Sequence, residues 1–280
     1  MRLASYSRNG LRTWGVVVPD GVVDARTSTG YESIAAMLAA GATERLARAA
    51  EGPVTPLSEI RWLPVIPKPA NIFCIGHNYE EHRVETRRDP TKHPTVFLRN
   101  AASQIGHEAP LVRPLESTWL DFEGEIAVVI GKPGRRIPVD DAWGHVAGYA
   151  PYNDGSVRDW QRHSTQWSPG KNFEGTGAFG PWMTLRGSIA DGEELVLETR
   201  VNGKVVQHAS TQQLIFPIPV LIAYLSTFTT LQPGDVIVSG TPGGIGLTRN
   251  PPEFLQPGDV VEVEVSKVGV LRNTVQQELR

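Results

Sequence analysis

Leu120-Asp-Phe-Glu-Gly-Glu-Ile-Ala-Val-Val-Ile-Gly-Lys132 is the stretch from which the fold is read. Ile126 to Ile130 is an unbroken apolar, mostly β-branched run that stops at Gly131. Such a run has the composition of a strand buried on both faces. Just before it, Asp121, Glu123 and Glu125 alternate with other residues. If the strand extends back through them, all three carboxylates point the same way. Like charges at the mouth of a buried strand repel one another and resist desolvation. A divalent cation among them removes both penalties, and an oxygen-only ligand set suits Mg²⁺ or Mn²⁺ better than Zn²⁺. An edge strand with a solvated acidic face has the same pattern, so the stretch alone leaves both readings open.

Composition narrows the field. The chain has 280 residues, of which 40% are hydrophobic and 20% charged, with a net charge of −3. Without a basic surplus, phosphate-backbone binding is not expected, and nucleic acid is set aside as a partner. The 28 glycines and 22 prolines favour many turns and a β-rich architecture. No apolar run reaches membrane-spanning length, the N-terminus lacks a signal-peptide core, and Cys74 is the only cysteine. The expected location is cytoplasmic, with no membrane partner.

Outward from the acidic stretch, residues 1–66 read as a small leading α/β module. Strands are expected at Leu11–Val18 and Gly21–Asp24, and helical segments at Ser33–Ala40 and Thr43–Ala50. Pro64, Pro67 and Pro69 form a stiff connector to a second region, residues 67–280. That region opens with the strand Ile72–Gly76. His77-Asn-Tyr79 follows, and then a polar stretch, Glu80 to Glu85, able to form a short helix. On a helix His82 and Glu85 share a face, and a carboxylate that orients an imidazole can make it a base. An ordinary exposed ion pair fits the same spacing. Asp154 ends the apolar approach Gly148–Asn153 and suits either a third metal carboxylate or a helix N-terminal aspartate. Lys171 falls in a polar loop that is no phosphate-binding loop, since Asn172 stands where Ser or Thr belongs. Further on come a hairpin about Asn202-Gly203, a buried helix over 216–226 and a strand over 231–239. A glycine-rich loop from Gly240 to Gly246 and the last strand, Val260–Val265, complete the reading.

These segments together resemble the fumarylacetoacetate hydrolase superfamily. The likeness rests on Gly76–Tyr79 with His82 and Glu85, Asp121–Glu125, Asn153-Asp154 through Gln161, and Lys171. Gly180–Trp182, Val201–Gln207, Leu231–Asp235 and Gly240–Pro242 complete it. The resemblance implies an α+β, β-rich fold, a mixed β-sandwich roll behind the small N-terminal module, in a homodimer. It implies one Mg²⁺ or Mn²⁺ per subunit on Glu123, Glu125 and Asp154, with Asp121 behind them. It makes Lys171 catalytic together with His82 and Glu85, and places Gln161, Thr241, His77, Tyr79 and Arg158 at the substrate. His82 and Glu85 match a lid dyad that activates water, on a segment over 80–93 expected to order over bound substrate. The expected partner is a small 2-oxo acid. The reaction implied first is hydrolysis of a C–C bond in a 2,4-dioxo acid such as fumarylpyruvate or maleylpyruvate, in aromatic catabolism. The alternative is an oxaloacetate decarboxylase, or a keto–enol or hydroxymuconate-type isomerase, on the same scaffold. His77 stands where many members have Arg, Arg99 where many have Lys, and Glu174 where Asp is frequent. From the first two substitutions a tolerant distal pocket follows, one that prefers a longer acyl chain to oxaloacetate.

Overall fold

The computed structural model describes residues 1–279. Strand Gly124–Ile130 lies in the middle of a 13-stranded mixed sheet, between Val146–Asp154 and Val236–Val238. It is buried along its whole length. Its alternation divides the molecule into two cores. Ile126, Val128 and Ile130 face one way, onto Leu221, Ile222 and Leu225 of helix Ile218–Phe228 and onto Leu197, Val263 and Leu271. Ala127 and Val129 face the other way, onto Leu3, Met37, Leu38 and Ile66 of the leading segment. Each large aliphatic side chain so buried contributes about 1.5–3 kcal/mol, which explains why no polar residue interrupts the run.

On one side of this strand the sheet continues through Val236–Val238 and Ile72–Gly76 to the edge strand Thr95–Arg99. On the other it runs through Val146–Asp154 and Met183–Leu185 into the leading hairpin, Arg2–Arg8 with Leu11–Val18. The first 66 residues therefore share a sheet and a core with the region that follows. A second sheet of five strands, ordered Lys204–Ser210, Val196–Val201, Val260–Val265, Gly269–Gln277 and Leu111–Arg113, packs over the first. Asn202 and Gly203 make its tight turn with φ of 52° and 79°, as an Asn-Gly hairpin requires. Among the described residues, no helix is long and apolar enough to cross a membrane.

Several expectations are corrected. The acidic strand is not continuous. Leu120–Asp121 pairs with Ser156–Val157 in a separate ribbon, and the main strand starts only at Gly124. Val260–Val265 is not the last strand, because Gly269–Gln277 folds back against it. Strand Arg2–Arg8 was not anticipated, since serines and arginines dilute its alternation. The loop expected around Lys171 contains a helical turn, Ser168–Lys171, with the lysine buried.

Candidate active site and metal centre

Antiparallel pairing builds the centre. Gly124 lies opposite Asn153, and the Asp154 amide donates to the Glu123 carbonyl at 2.8 Å. Glu123 and Asp154 therefore emerge side by side on one face, with Glu125 one pleat further along. One carboxylate oxygen from each lies within 4.8 Å of the others, and all three residues are buried. Gly124 separates the two glutamates for a steric reason: a Cβ there would meet Thr199 Oγ1 at 1.9 Å. Its amide donates to Gln207 Oε1 at 2.9 Å, and the Thr241 hydroxyl donates to its carbonyl at 2.9 Å, so both sides of the glycine are clamped.

Basic groups surround the carboxylates unevenly. Lys171 Nζ donates to Glu123 Oε2 at 2.7 Å and Asp154 Oδ2 at 2.6 Å. Arg158 Nη1 donates to Glu123 Oε1 at 2.5 Å, and Arg99 Nη1 to Asp154 Oδ1 at 2.5 Å. Glu125 receives only the Gly240 amide. Burial would raise Glu123, but the charges of Lys171 and Arg158 outweigh it and hold this carboxyl well below the usual range. Burial raises Glu125, and the neighbouring Asp154 and Glu123 charges raise it further. A hard divalent cation beside Glu125 would supply the charge that no side chain provides, and the three-carboxylate oxygen set fits Mg²⁺ or Mn²⁺.

Asp121 does not join this cluster. It accepts from Arg158 Nε at 2.8 Å and from the amides of Gly246 and Leu247 at 2.9 and 3.0 Å. It thereby ties the glycine-rich loop to the guanidinium beside Glu123.

The second group of functional side chains comes from the turn and helix after Ile72–Gly76. Helix Glu80–Glu85 brings Glu85 Oε1 to 2.7 Å from His82 Nδ1, and His82 is buried rather than solvated. The other Glu85 oxygen accepts from the Gly244 amide and the Thr248 hydroxyl, each at 2.9 Å. Burial would raise Glu85, but these hydrogen bonds bring it below its ordinary value. His77, at φ +55°, stacks on His82 with ring centroids 5.4 Å apart. Burial, and then the charge of His82, push His77 down to about 4. Trp167 packs edge-on against both His77 and Phe97, and Phe97 lies 5.0 Å from Lys171 Nζ.

One cavity of about 730 Å³ collects most of the expected residues: His77, His82, Glu85, Glu123, Glu125, Arg158, Gln161, Lys171 and Thr241. Asp154 lies beneath it, in contact with Lys171. Tyr79 is not brought to the cavity; its ring packs in the core beneath the second sheet. Glu174 is exposed and does not line it. Arg99 is also remote from the distal end, because its fully buried guanidinium is spent on Asp154, Gly155 and Thr176. Arg99 therefore does not shape the distal pocket as expected. Sequence reasoning missed Phe97, Trp167 and the arginines Arg87, Arg88 and Arg162, which also line the cavity. Nothing in their spacing marks them, since three segments converge only in the folded chain.

The model of the fumarylacetoacetate hydrolase C-terminal domain matches residues 71–276. A human mitochondrial oxaloacetate tautomerase is 43% identical over 233 residues, which is 82% of this chain and 74% of the relative. An oxaloacetate tautomerase of Bacillus subtilis is 42% identical over 224 residues, covering 78% of this chain and 74% of that one. The crystal structure of maleylpyruvate hydrolase from a Sphingobium species, in complex with manganese(II) and pyruvate, superposes with a TM-score of 0.84 at 27% identity over the full length of both chains. The expected α+β, strand-rich fold is thus found with its family likeness intact, and the chain belongs to the fumarylacetoacetate hydrolase family.

Proposed function

We propose that this protein is a keto–enol tautomerase of a short 2-oxo acid of the oxaloacetate type, the alternative that stood second to acylpyruvate hydrolysis on sequence. The observation that carries the reading is the likeness, above 40% identity, to oxaloacetate tautomerases from two distant organisms, against 27% to the maleylpyruvate hydrolase.

The residues suit a proton transfer. Interconversion of enol and keto forms moves one proton off the enol oxygen at C2 and puts one on C3; no C–C bond breaks and no water is consumed. The Glu85 carboxylate accepts a hydrogen bond from His82 Nδ1–H, which leaves Nε2 of the neutral ring free to accept or return a proton at C3. Lys171 and Arg158 supply fixed positive charge where negative charge grows on the 2-oxo oxygen, and His77 with Trp167 lines the same cavity. A bound Mg²⁺ or Mn²⁺ on Glu123, Glu125 and Asp154 would act as a Lewis acid toward the 2-oxo acid. The same parts with a water at His82 allow hydrolysis of an acylpyruvate in aromatic catabolism; the buried dyad favours keeping this as the second reading.

Product analysis by NMR separates the two. Tautomerisation returns oxaloacetate unchanged in carbon skeleton, whereas hydrolysis releases pyruvate and a carboxylic acid from an acylpyruvate. A cytoplasmic homodimer belongs to the same proposal, and a solution mass near the single-chain 30.6 kDa would count against its assembly.

A further inference from the structure

Behind the metal-side carboxylates, on the face of the main sheet turned to the second sheet, three hydrogen bonds close a ring. The Gly124 amide donates to Gln207 Oε1 at 2.9 Å, and Gln207 Nε2 donates to Thr241 Oγ1 at 2.8 Å. The Thr241 hydroxyl then returns to the Gly124 carbonyl at 2.9 Å. Gln207 Nε2 also donates to the Pro242 carbonyl at 2.9 Å. The side-chain amide therefore has one orientation, since turned over it would set an N–H against the Gly124 N–H. With Nε2 donating to it, Thr241 has its hydroxyl proton committed to Gly124, and the ring runs in one direction. Gln207 is buried on strand Lys204–Ser210 of the second sheet and does not line the cavity.

Both backbone segments that hold Glu125 nevertheless pass through this side chain. Gly124 joins Glu123 to Glu125, and Gly240, next to Thr241, donates its amide to Glu125 Oε2. The same loop gives the Gly244 amide to Glu85 and the Gly246 and Leu247 amides to Asp121. Gly244, at φ +101°, lies against the residue before Gln207: a Cβ there would meet the Val206 carbonyl oxygen at 2.2 Å. Val206 and Gln207 thus support a loop whose amides fix one metal-site carboxylate and the carboxylate that orients His82.

We propose that Gln207 is a positioning residue, which holds Glu125 and the glycine-rich loop in register so that the three metal-site carboxylates converge. The proposal goes beyond the choice of reaction, because tautomerase and hydrolase alike would use this metal site. Thr199 offers the contrast: it lies directly opposite Gln207 in the hairpin and is buried too, yet its hydroxyl has no partner.

Calorimetric titration of Mn²⁺ alone into the chelator-treated full chain, with folding checked by circular dichroism, tests this without reference to activity. Gln207→Met keeps the length of the side chain and removes its bonds to the ring. Its Mn²⁺ dissociation constant is expected to rise about tenfold or more over wild type. Thr241→Ala opens the same ring at another corner and should weaken binding to a similar degree. Thr241→Ser keeps the hydroxyl, and Thr199→Val changes only the neighbouring packing, so both should stay within about twofold of wild type. A wild-type constant in Gln207→Met, an equal loss in Thr199→Val, or no Mn²⁺ binding by wild type would overturn the proposal. Should Gln207→Met not fold, the Thr241 pair decides, and equal constants in Thr241→Ala and Thr241→Ser would overturn it.

Discussion

Glu85 Oε1 lies 2.7 Å from His82 Nδ1, while its other oxygen is fixed by the Gly244 amide and the Thr248 hydroxyl. The carboxylate is thus anchored to the glycine-rich loop on one side and orients the imidazole on the other. Replacing His82 with Asn should lower kcat for enol–keto conversion by about 10² to 10⁴-fold. Glu85→Gln keeps the loop hydrogen-bond acceptor but no longer favours the Nδ1–H form, so it should lower kcat by less. Steady-state kinetics on both variants check this; near wild-type kcat in His82→Asn would remove the imidazole from the chemistry.

Glu125 is the carboxylate without a side-chain cation. Addition of Mg²⁺ or Mn²⁺ should raise the melting temperature of wild type, since a ligand at a hundred times its Kd adds about 2.7 kcal/mol to stability. Glu125→Gln should abolish the shift. Differential scanning calorimetry with and without chelator checks it, and an equal shift in the variant would place the cation elsewhere.

How much of this was legible beforehand depended on whether the signal was local. The β-branched run Ile126–Ile130 announced its own double burial, and the His82–Glu85 spacing its own helix face. Alternation alone set Asp121 on one face with Glu123 and Glu125, because a break at Phe122–Glu123 resets it and no residue type there signals the break; only the family resemblance set Asp121 behind them. The polar loop around Lys171 gave no local sign of its burial, because its partners Glu123 and Asp154 lie 48 and 17 residues away. Arg99 was read as a distal determinant for the same reason: its partner is 55 residues off in the sequence. Arg87, Arg88 and Arg162 gave no pattern at all.

Gly124 tests the packing. Gly124→Ala should destabilise by about 1–3 kcal/mol through overpacking against Thr199, whose Oγ1 would lie 1.9 Å from the new carbon. That hydroxyl is buried and unpartnered, so Thr199→Ala should recover part of the loss in the double variant. A denaturant double-mutant cycle measures the coupling; strictly additive losses would mean that the clash is relieved elsewhere.

His77 gives a pH signature. Its ring, pushed down to about 4 from an ordinary 6.5, stays neutral while the unfolded chain takes up a proton. The unfolded state therefore binds more protons between these values, and stability falls as pH drops from 6.5 toward 4, levelling off below. Above 6.5 the group contributes no slope. Asn tolerates the positive φ of this position, so His77→Asn should flatten this part of the profile without straining the backbone. NMR titration of the His77 ring reads the value directly; a midpoint near 6.5 would contradict the burial argument.

The central claim is the choice of reaction, and the decay of enol-oxaloacetate absorbance against the release of pyruvate from an acylpyruvate, in the same Mg²⁺-loaded preparation, tests it most directly. The account predicts that kcat/KM for enol–keto conversion of oxaloacetate exceeds that for acylpyruvate cleavage, and that His82→Asn depresses the former. Faster cleavage of the acylpyruvate, with no acceleration of enol decay over buffer, would contradict it and restore the hydrolase reading.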